Sequence, residues 1–325
     1  MKCSGSHSSR DKQGMTLLEL VVVIAILAVL MTVALRSMTG VASQSRFEAT
    51  QRTLDNIQEA IFGPANDHQP DGSRVISGFV ADIGRLPQAV LTNNPDGTTS
   101  LTLNELLFQP NGALPFDVRQ ATGTNLTDTS LADPGVSVPC GWHGPYLRLS
   151  VGENEITDGW GVPLANTTTP SGTNFLCLTL TNSDNEIVSV SSPGADGVQG
   201  GTGYNSDLSV TFAPSDYTAS LAVTVSMLDT NGTLISSFIN GDQVVVRVFG
   251  PDPESIGKIE VLPQTNIVSA AQLTYVFPGS LTQGPRAVRA YLQTSGGVIT
   301  NSSAIDYLNL HPGFNTAGLT LIRSY

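Results

Sequence analysis

From Met15 to Leu35 the chain is almost unbroken hydrocarbon: 21 residues carry one charge, Glu19. As a helix this run spans about 30 Å, the thickness of one bilayer core. Beyond it the pattern narrows to a stripe. Phe47, Thr50, Leu54, Ile57 and Ile61 recur at steps of three and four, one face of an amphipathic helix, and Gly63-Pro64 stops it. The pattern therefore predicts one helix over 15–63, about 70 Å long. Its first part (15–35) is apolar all round and its second part is amphipathic.

Residues 64–213 carry shorter signals. Ile76, Phe79, Val80 and Ile83 form a small helical face ended by Gly84 and Pro87, and Asn93–Gly97 reads as a turn. Thr102-Leu-Asn-Glu105 reads as a capping box before Leu106 and Leu107. Residues 110–138, rich in Gly, Pro, Asn and Thr, read as a long loop, and Asn174–Leu180 as a strand. Residues 214–325 alternate strongly in seven or eight short stretches, such as ASLAVTVSML, TLISSFI and QVVVRVF, punctuated by Asp229–Gly232, Asn240–Asp242 and Gly250–Pro253. This predicts an antiparallel β-sandwich of immunoglobulin-like size, without the Trp and paired cysteines of a true immunoglobulin core. The expected fold class is α+β: a long N-terminal helix, a small antiparallel-sheet head, then an all-β sandwich-like domain.

Composition narrows the function. Charged residues are 13 % of the chain, the net charge is −12, and Lys258 is the only lysine past Gly14, so phosphate-backbone binding is excluded and no nucleic-acid partner is expected. Acidity of this kind suits solubility or hard cations with oxygen ligands. Cys140 and Cys177 are either a disulfide, closing a loop worth about 3–4 kcal/mol in an exported domain, or two buried thiols. His143 has only His68 and His311 for company beyond residue 14, neither at ligand spacing, and reads as a surface histidine. Trp142 and Trp160 read as core anchors. Glu153 and Glu155 read as solvated acids, and Arg286 and Arg289, three residues apart on a strand, make no basic patch. No nucleophile elbow, phosphate loop, zinc-protease or dinucleotide fingerprint occurs, so an enzyme is not expected.

The N-terminus is more specific. Lys2, Arg10 and Lys12 against Asp11 precede the apolar run, which places this end in the cytoplasm and the body of the protein outside. The run is longer than a secretory h-region, lacks a clean small-x-small cleavage site, and carries Glu19 near its front. A charge at that depth needs a partner. A cut after Gly14 would give Met15 a free ammonium four residues from Glu19, able to neutralise the carboxylate of a neighbouring helix and favour lateral assembly.

The stretch G-M-T-L-L-E-L-V-V-V-I-A-I-L (Gly14 to Leu27) resembles the class III signal of type IV pilins and of the pseudopilins of type II secretion. The resemblance implies a leader over 1–14, cleavage after Gly14 and methylation of Met15 by prepilin peptidase, and a role for Glu19 in guiding subunits into a filament. The usual first mature residue is Phe, so Met15 departs from the pattern. The resemblance implies a pilin-like fold, with the helix over 15–63, a head over 64–213 and an extension over 214–325. It also implies a single inner-membrane pass, a periplasmic or filament-borne body, and as partners related pilin subunits and an inner-membrane assembly platform.

A second resemblance lies in the head. GWHGPYL, then DGWGVP, then SPGADGVQGG resemble the major pseudopilin across about residues 139–208. Alone, the last block reads as a flexible Gly-Asp turn. The resemblance implies one Ca²⁺, with Asp196 and Asp207 giving carboxylate oxygens, Asn205 an amide oxygen, and Pro193, Val198 and Gly201 main-chain oxygens. Where family loops often carry further acids this chain has Gly203 and Asn205, which implies weaker binding. Three functions are therefore in play: a pseudopilin, a minor type IV pilin with an adhesive C-terminal domain, or a membrane-anchored surface enzyme or sugar-binding protein.

Overall fold

The computed structural model describes residues 17–64, 66–68, 75–93, 97–149, 152–168, 174–181, 184–235 and 241–323; in 33–39, 168, 174–175 and 280 only the backbone is described. Helix α1 (Leu17–Phe62) is continuous over 46 residues, about 69 Å. Its first half is exposed, Leu17 at 82 % and Leu27 at 58 %. The predicted stripe is the face that packs: Thr50, Leu54, Ile57 and Ile61 are buried, while Glu48 and Arg52 form an exposed pair one turn apart at 3.8 Å. Gly63, at φ 77°, ends the helix with its N–H on Glu59 O at 2.7 Å. Among the described residues no helix is long and apolar enough to cross a membrane. The predicted span 15–35 lies partly outside them, since side chains of the apolar run are described only over 17–32.

The head follows as α2 (Phe79–Ile83), fully buried, and strands β1 (Val90–Asn93), β2 (Thr99–Thr102), β3 (Asp117–Ala121), β4 (Asp133–Cys140), β5 (Asn166–Thr168), β6 (Asn174–Leu176), β7 (Leu178–Leu180), β8 (Ile187–Ser192) and β9 (Leu208–Thr211). These make three antiparallel groups: β1-β2-β5-β6, β7-β8-β9, and the β3-β4 pair. The lower half of α1 and α2 pack with Leu103, Leu106, Ile187, Val190 and Phe212 as the head core. Phe62 stands edge-on to Phe212 and stacks on Tyr217.

After a short α3 (Pro214–Tyr217) come β10 (Thr218–Leu228), β11 (Gln243–Pro251), β12 (Ile259–Ile267), β13 (Gln272–Thr282), β14 (Gly284–Gln293), β15 (Ile299–Ser302), β16 (Asp306–Leu310) and β17 (Gly313–Ile322). Two sheets, β13-β10-β17 and β12-β11-β14-β15 with β16 also on β14, enclose one core. Alternation along β10 sends Ala219, Leu221, Val223, Val225 and Met227 inward. One pair departs from the antiparallel expectation: β10 and β17, the first and last strands, run parallel from Ala219↔Gly313 to Leu228↔Ile322. The TLISSFI stretch, expected as a strand, makes only an isolated bridge at Leu234 to Leu228, and 236–240 lie outside the described residues.

Two further expectations are corrected. Residues 110–138 are not a loop: they hold β3 and most of β4, with 3-10 turns at Gly123–Asn125 and Thr129–Leu131 between them. The capping box does not form. Thr102 turns its hydroxyl to Val90 O, and Glu105 makes a buried two-pronged ion pair with Arg85 at 2.8 and 2.9 Å. A buried carboxylate this close to a guanidinium gains more from the pair than from capping one short 3-10 turn.

The β3-β4 hairpin joins the two units. Val136, Val138 and Cys140 pack on Phe249, Ile259 and Ala287 in a cluster shared by hairpin and sandwich. Strand β11 is therefore buried on both faces: Val244, Val246 and Val248 face the sandwich core, and Phe249 faces the hairpin. Leu126 bridges Ile259 in parallel, Thr127 N–H donates to Ile259 O at 3.2 Å, and the Thr127 hydroxyl binds Asp252. Asp133 meets Arg289 at 2.8 Å and the Tyr291 hydroxyl. Arg85 Nε donates to Pro253 O at 2.9 Å, and Gln283 Nε2 to Phe62 O at 3.1 Å.

Candidate functional site

The chemistry-bearing loops of the head gather on one side of α1. Its Thr50 hydroxyl donates to Arg46 O at 3.0 Å and accepts the N–H of Gly159 at 2.9 Å. A Cβ on Gly159 would lie 2.0 Å from Arg46 O, so only glycine lets this backbone meet the helix. Trp160 then sets its edge against Phe47, centroids 6.4 Å apart, and Tyr204 does the same at 6.0 Å. Tyr204 also donates its hydroxyl to Gln44 Oε1 at 3.0 Å. The 158–164 loop and the 194–207 loop thus share one aromatic anchor on the helix.

Asp158 holds these loops together. It is buried, its Oδ1 accepts the N–H groups of Trp160 and Val162 at 2.9 and 2.8 Å, and its Oδ2 accepts the Ser192 hydroxyl at 2.6 Å. Ser192 in turn accepts the Gly194 N–H at 3.3 Å. Sequence reading carried Asp158 only as the first residue of the DGWGVP block and missed this role. Its available signal was a single acid between turn residues just upstream of a tryptophan.

Of the residues expected to hold Ca²⁺, Asp196 and Asn205 lie in two adjoining 3-10 turns, Gly194–Asp196 and Gly203–Asn205; Pro193 leads into the first, Val198 and Gly201 lie between the turns, and Asp207 follows the second. Gly194, at φ 72°, is where the turns touch: a Cβ there would lie 2.8 Å from Ser206 O. Gly201 comes closer still, a Cβ there lying 2.3 Å from Asn205 O. Asp196 and Asp207 are exposed. Asp196 Oδ1 accepts Val198 N–H at 3.1 Å, and both oxygens of Asp207 accept Gly200 N–H at 3.0 Å. The donor set is oxygen only, two carboxylates with an amide and main-chain carbonyls, which is hard-cation chemistry, and by donor type it fits Ca²⁺. Among the described residues no three His, Cys, Asp or Glu side chains gather as a metal group. Any site here leans on the amide and carbonyl oxygens.

Of the two readings left open for Cys140 and Cys177, the structure has the second: both are free, buried thiols. Cys140 is buried in the cluster shared with the sandwich, whereas Cys177 sits between β6 and β7 with its Sγ 3.6 Å from Pro163 O. Burial pushes both thiols up, Cys140 to about 11. His143 is a surface residue, 64 % exposed in its side chain. Arg289 and Arg286 are inward-facing, the first on Asp133 and the second lying over Gly250 with burial lowering it to about 10.

Gly14 and Met15 lie outside the described residues. Glu19 stands in the first turn of α1, where the helix dipole favours a negative charge. No curated protein matches the chain. Residues 9–35 match the family model described as the prokaryotic N-terminal methylation motif, so the chain opens on a class III, type IV pilin-like processing signal that runs directly into α1.

Proposed function

We propose that the protein is a pseudopilin, a structural subunit of a type II secretion filament. In this reading prepilin peptidase cuts after Gly14 and methylates Met15. The subunit waits in the inner membrane with its body in the periplasm, and Glu19 pairs with the new N-terminus of a neighbour as α1 enters the filament. The observation that carries the reading is the methylation motif at 9–35 continuing into a 46-residue helix. The pair of loops docked on the lower half of that helix supports the pseudopilin kind. One Ca²⁺, held by Asp196, Asp207, Asn205 and the carbonyls of Pro193, Val198 and Gly201, would lock the turns that carry Tyr204 against the helix.

A second reading, a minor type IV pilin with an adhesive C-terminal unit, is favoured by the size of that unit. In both, the native protein begins at N-methylated Met15 by mass spectrometry. Glu19→Ala inserts in the membrane but is missing from sheared filaments; normal incorporation would refute the assembly role. Deleting the gene strands exported proteins in the periplasm if the first reading holds. Unchanged export with lost surface attachment selects the second.

A further inference from the structure

Where the head meets the sandwich, a cleft of about 500 Å³ opens between α2, β4 and the β14-β16 edge. Its walls are apolar: Ile76, Phe116, Pro139 and Pro285. Its polar residues are Ser77, Asp82, His143, Tyr146 and Asn309. Asp82 is 8 % exposed, on an α2 whose other residues are all apolar. The carboxylate is half engaged. Its Oδ2 accepts the Tyr146 hydroxyl at 2.9 Å and lies 3.6 Å from His143 Nδ1. Tyr146 has nothing left to donate, because its one proton goes to Asp82 while its oxygen accepts His143 N–H at 3.0 Å. His143 is held flat on Phe116, ring centroids 4.3 Å apart. Asp82 Oδ1 accepts no hydrogen bond among the described residues. No lysine or arginine lines the cleft among those residues either.

A desolvated carboxylate with one open oxygen, walled by hydrocarbon and lacking a resident guanidinium or ammonium, calls for a ligand that brings charge and N–H donors on a short apolar stem. The net charge of −12 raises the local concentration of cations at such a site. An anion would meet the like charge of the Asp82 carboxylate, and a neutral hydroxyl leaves that charge uncompensated. We propose that this cleft binds a primary alkylammonium group, its nitrogen on Asp82 Oδ1 and its carbon chain along Ile76, Phe116, Pro139 and Pro285. The group can be a free amine or the end of a lysine side chain on a partner protein; both present the same chemistry. Burial pushes Asp82 up to about 6, so above pH 7 it is ionised and gains from the partner. The proposal does not depend on the filament reading.

The test uses the full chain in detergent at about pH 8, where an ordinary imidazole is neutral and an alkylammonium is charged. The ring C–H resonances of His143, identified by their loss in His143→Gln, are followed while n-butylammonium chloride is added against matched sodium chloride. We expect a saturable shift, with n-butanol, the neutral isostere, at least about tenfold weaker. Asp82→Asn should weaken n-butylammonium by a similar factor. Nα-acetyl-lysine amide separates the sources: a matching shift admits a chain-borne lysine, and its absence beside a butylammonium shift restricts the cleft to free amines. Equal binding of butanol and butylammonium, or no saturation by about 100 mM, overturns the proposal without relying on any variant's folding.

Discussion

Asp82 shows how one carboxylate can cost the fold stability while shaping a surface. Burial lifts it from the usual 3.8 to about 6, against the lowering pull of the Tyr146 hydroxyl and His143. The folded state therefore holds a proton that the unfolded chain has released between about pH 4 and 6. This contribution to stability is full below about pH 4, falls as pH rises through 6, and is flat above. We expect Asp82→Asn, which carries no titratable proton, to gain about 2 kcal/mol on the parent protein between pH 4.5 and pH 7.5, read from chemical denaturation of both in the same detergent. A constant difference across that range would mean the carboxylate is better solvated than its 8 % exposure implies. Glu105 behaves otherwise: its partner Arg85 is twenty residues back in the chain, so three-residue cap spacing was the wrong ruler for it.

Among elements, α1 was the most legible, because an all-apolar run followed by a stripe at 3.6-residue period has no other low-energy reading. The β3-β4 hairpin was the least. Its Gly, Pro and Thr content reads as loop, and its apolar residues Val136, Val138 and Cys140 become a strand face only because Phe249, Ile259 and Ala287 cover them. The 193–207 turns lie between these cases. Their glycines marked a tight backbone, but the attachment to α1 through Tyr204 was not visible in spacing. Calcium is tested at this scale. Chelation should lower the melting temperature by several degrees, in line with the loss of about 1–2 kcal/mol of linked binding energy, and Asp207→Ala should abolish the difference between chelated and calcium-loaded protein. No response to chelation in the parent protein would leave the turns as structure alone, held by the Asp207 to Gly200 hydrogen bonds.

At the scale of the molecule, head and sandwich share a hydrophobic cluster flanked by a largely buried ion pair. Burial alone would raise Asp133, but the Tyr291 hydroxyl, the Gly135 N–H and Arg289 outweigh it and hold the carboxyl below its usual range. Arg289→Met should therefore leave a buried charge with too few donors and cost about 3 kcal/mol, measured by denaturation with Trp142 and Trp160 as head probes. A loss under about 0.5 kcal/mol would place the whole attachment in the apolar contacts. Such a joint makes the C-terminal unit a fixed projection of the head, so its orientation on a filament would follow that of α1.

The sequence by itself determined the long helix, its apolar half, the pilin-type signal and the two-residue alternation of residues 214–325. Each is a local periodicity or a short run, written in backbone geometry that needs no distant partner. Only the tertiary structure decided that β10 and β17 run parallel, that the two cysteines part company, that Asp158 ties two loops to each other beside α1, and that a presumed loop is the hairpin joining both units. Those outcomes depend on which surfaces, tens to hundreds of residues apart, find each other to bury, and a pattern read along one chain does not contain that pairing.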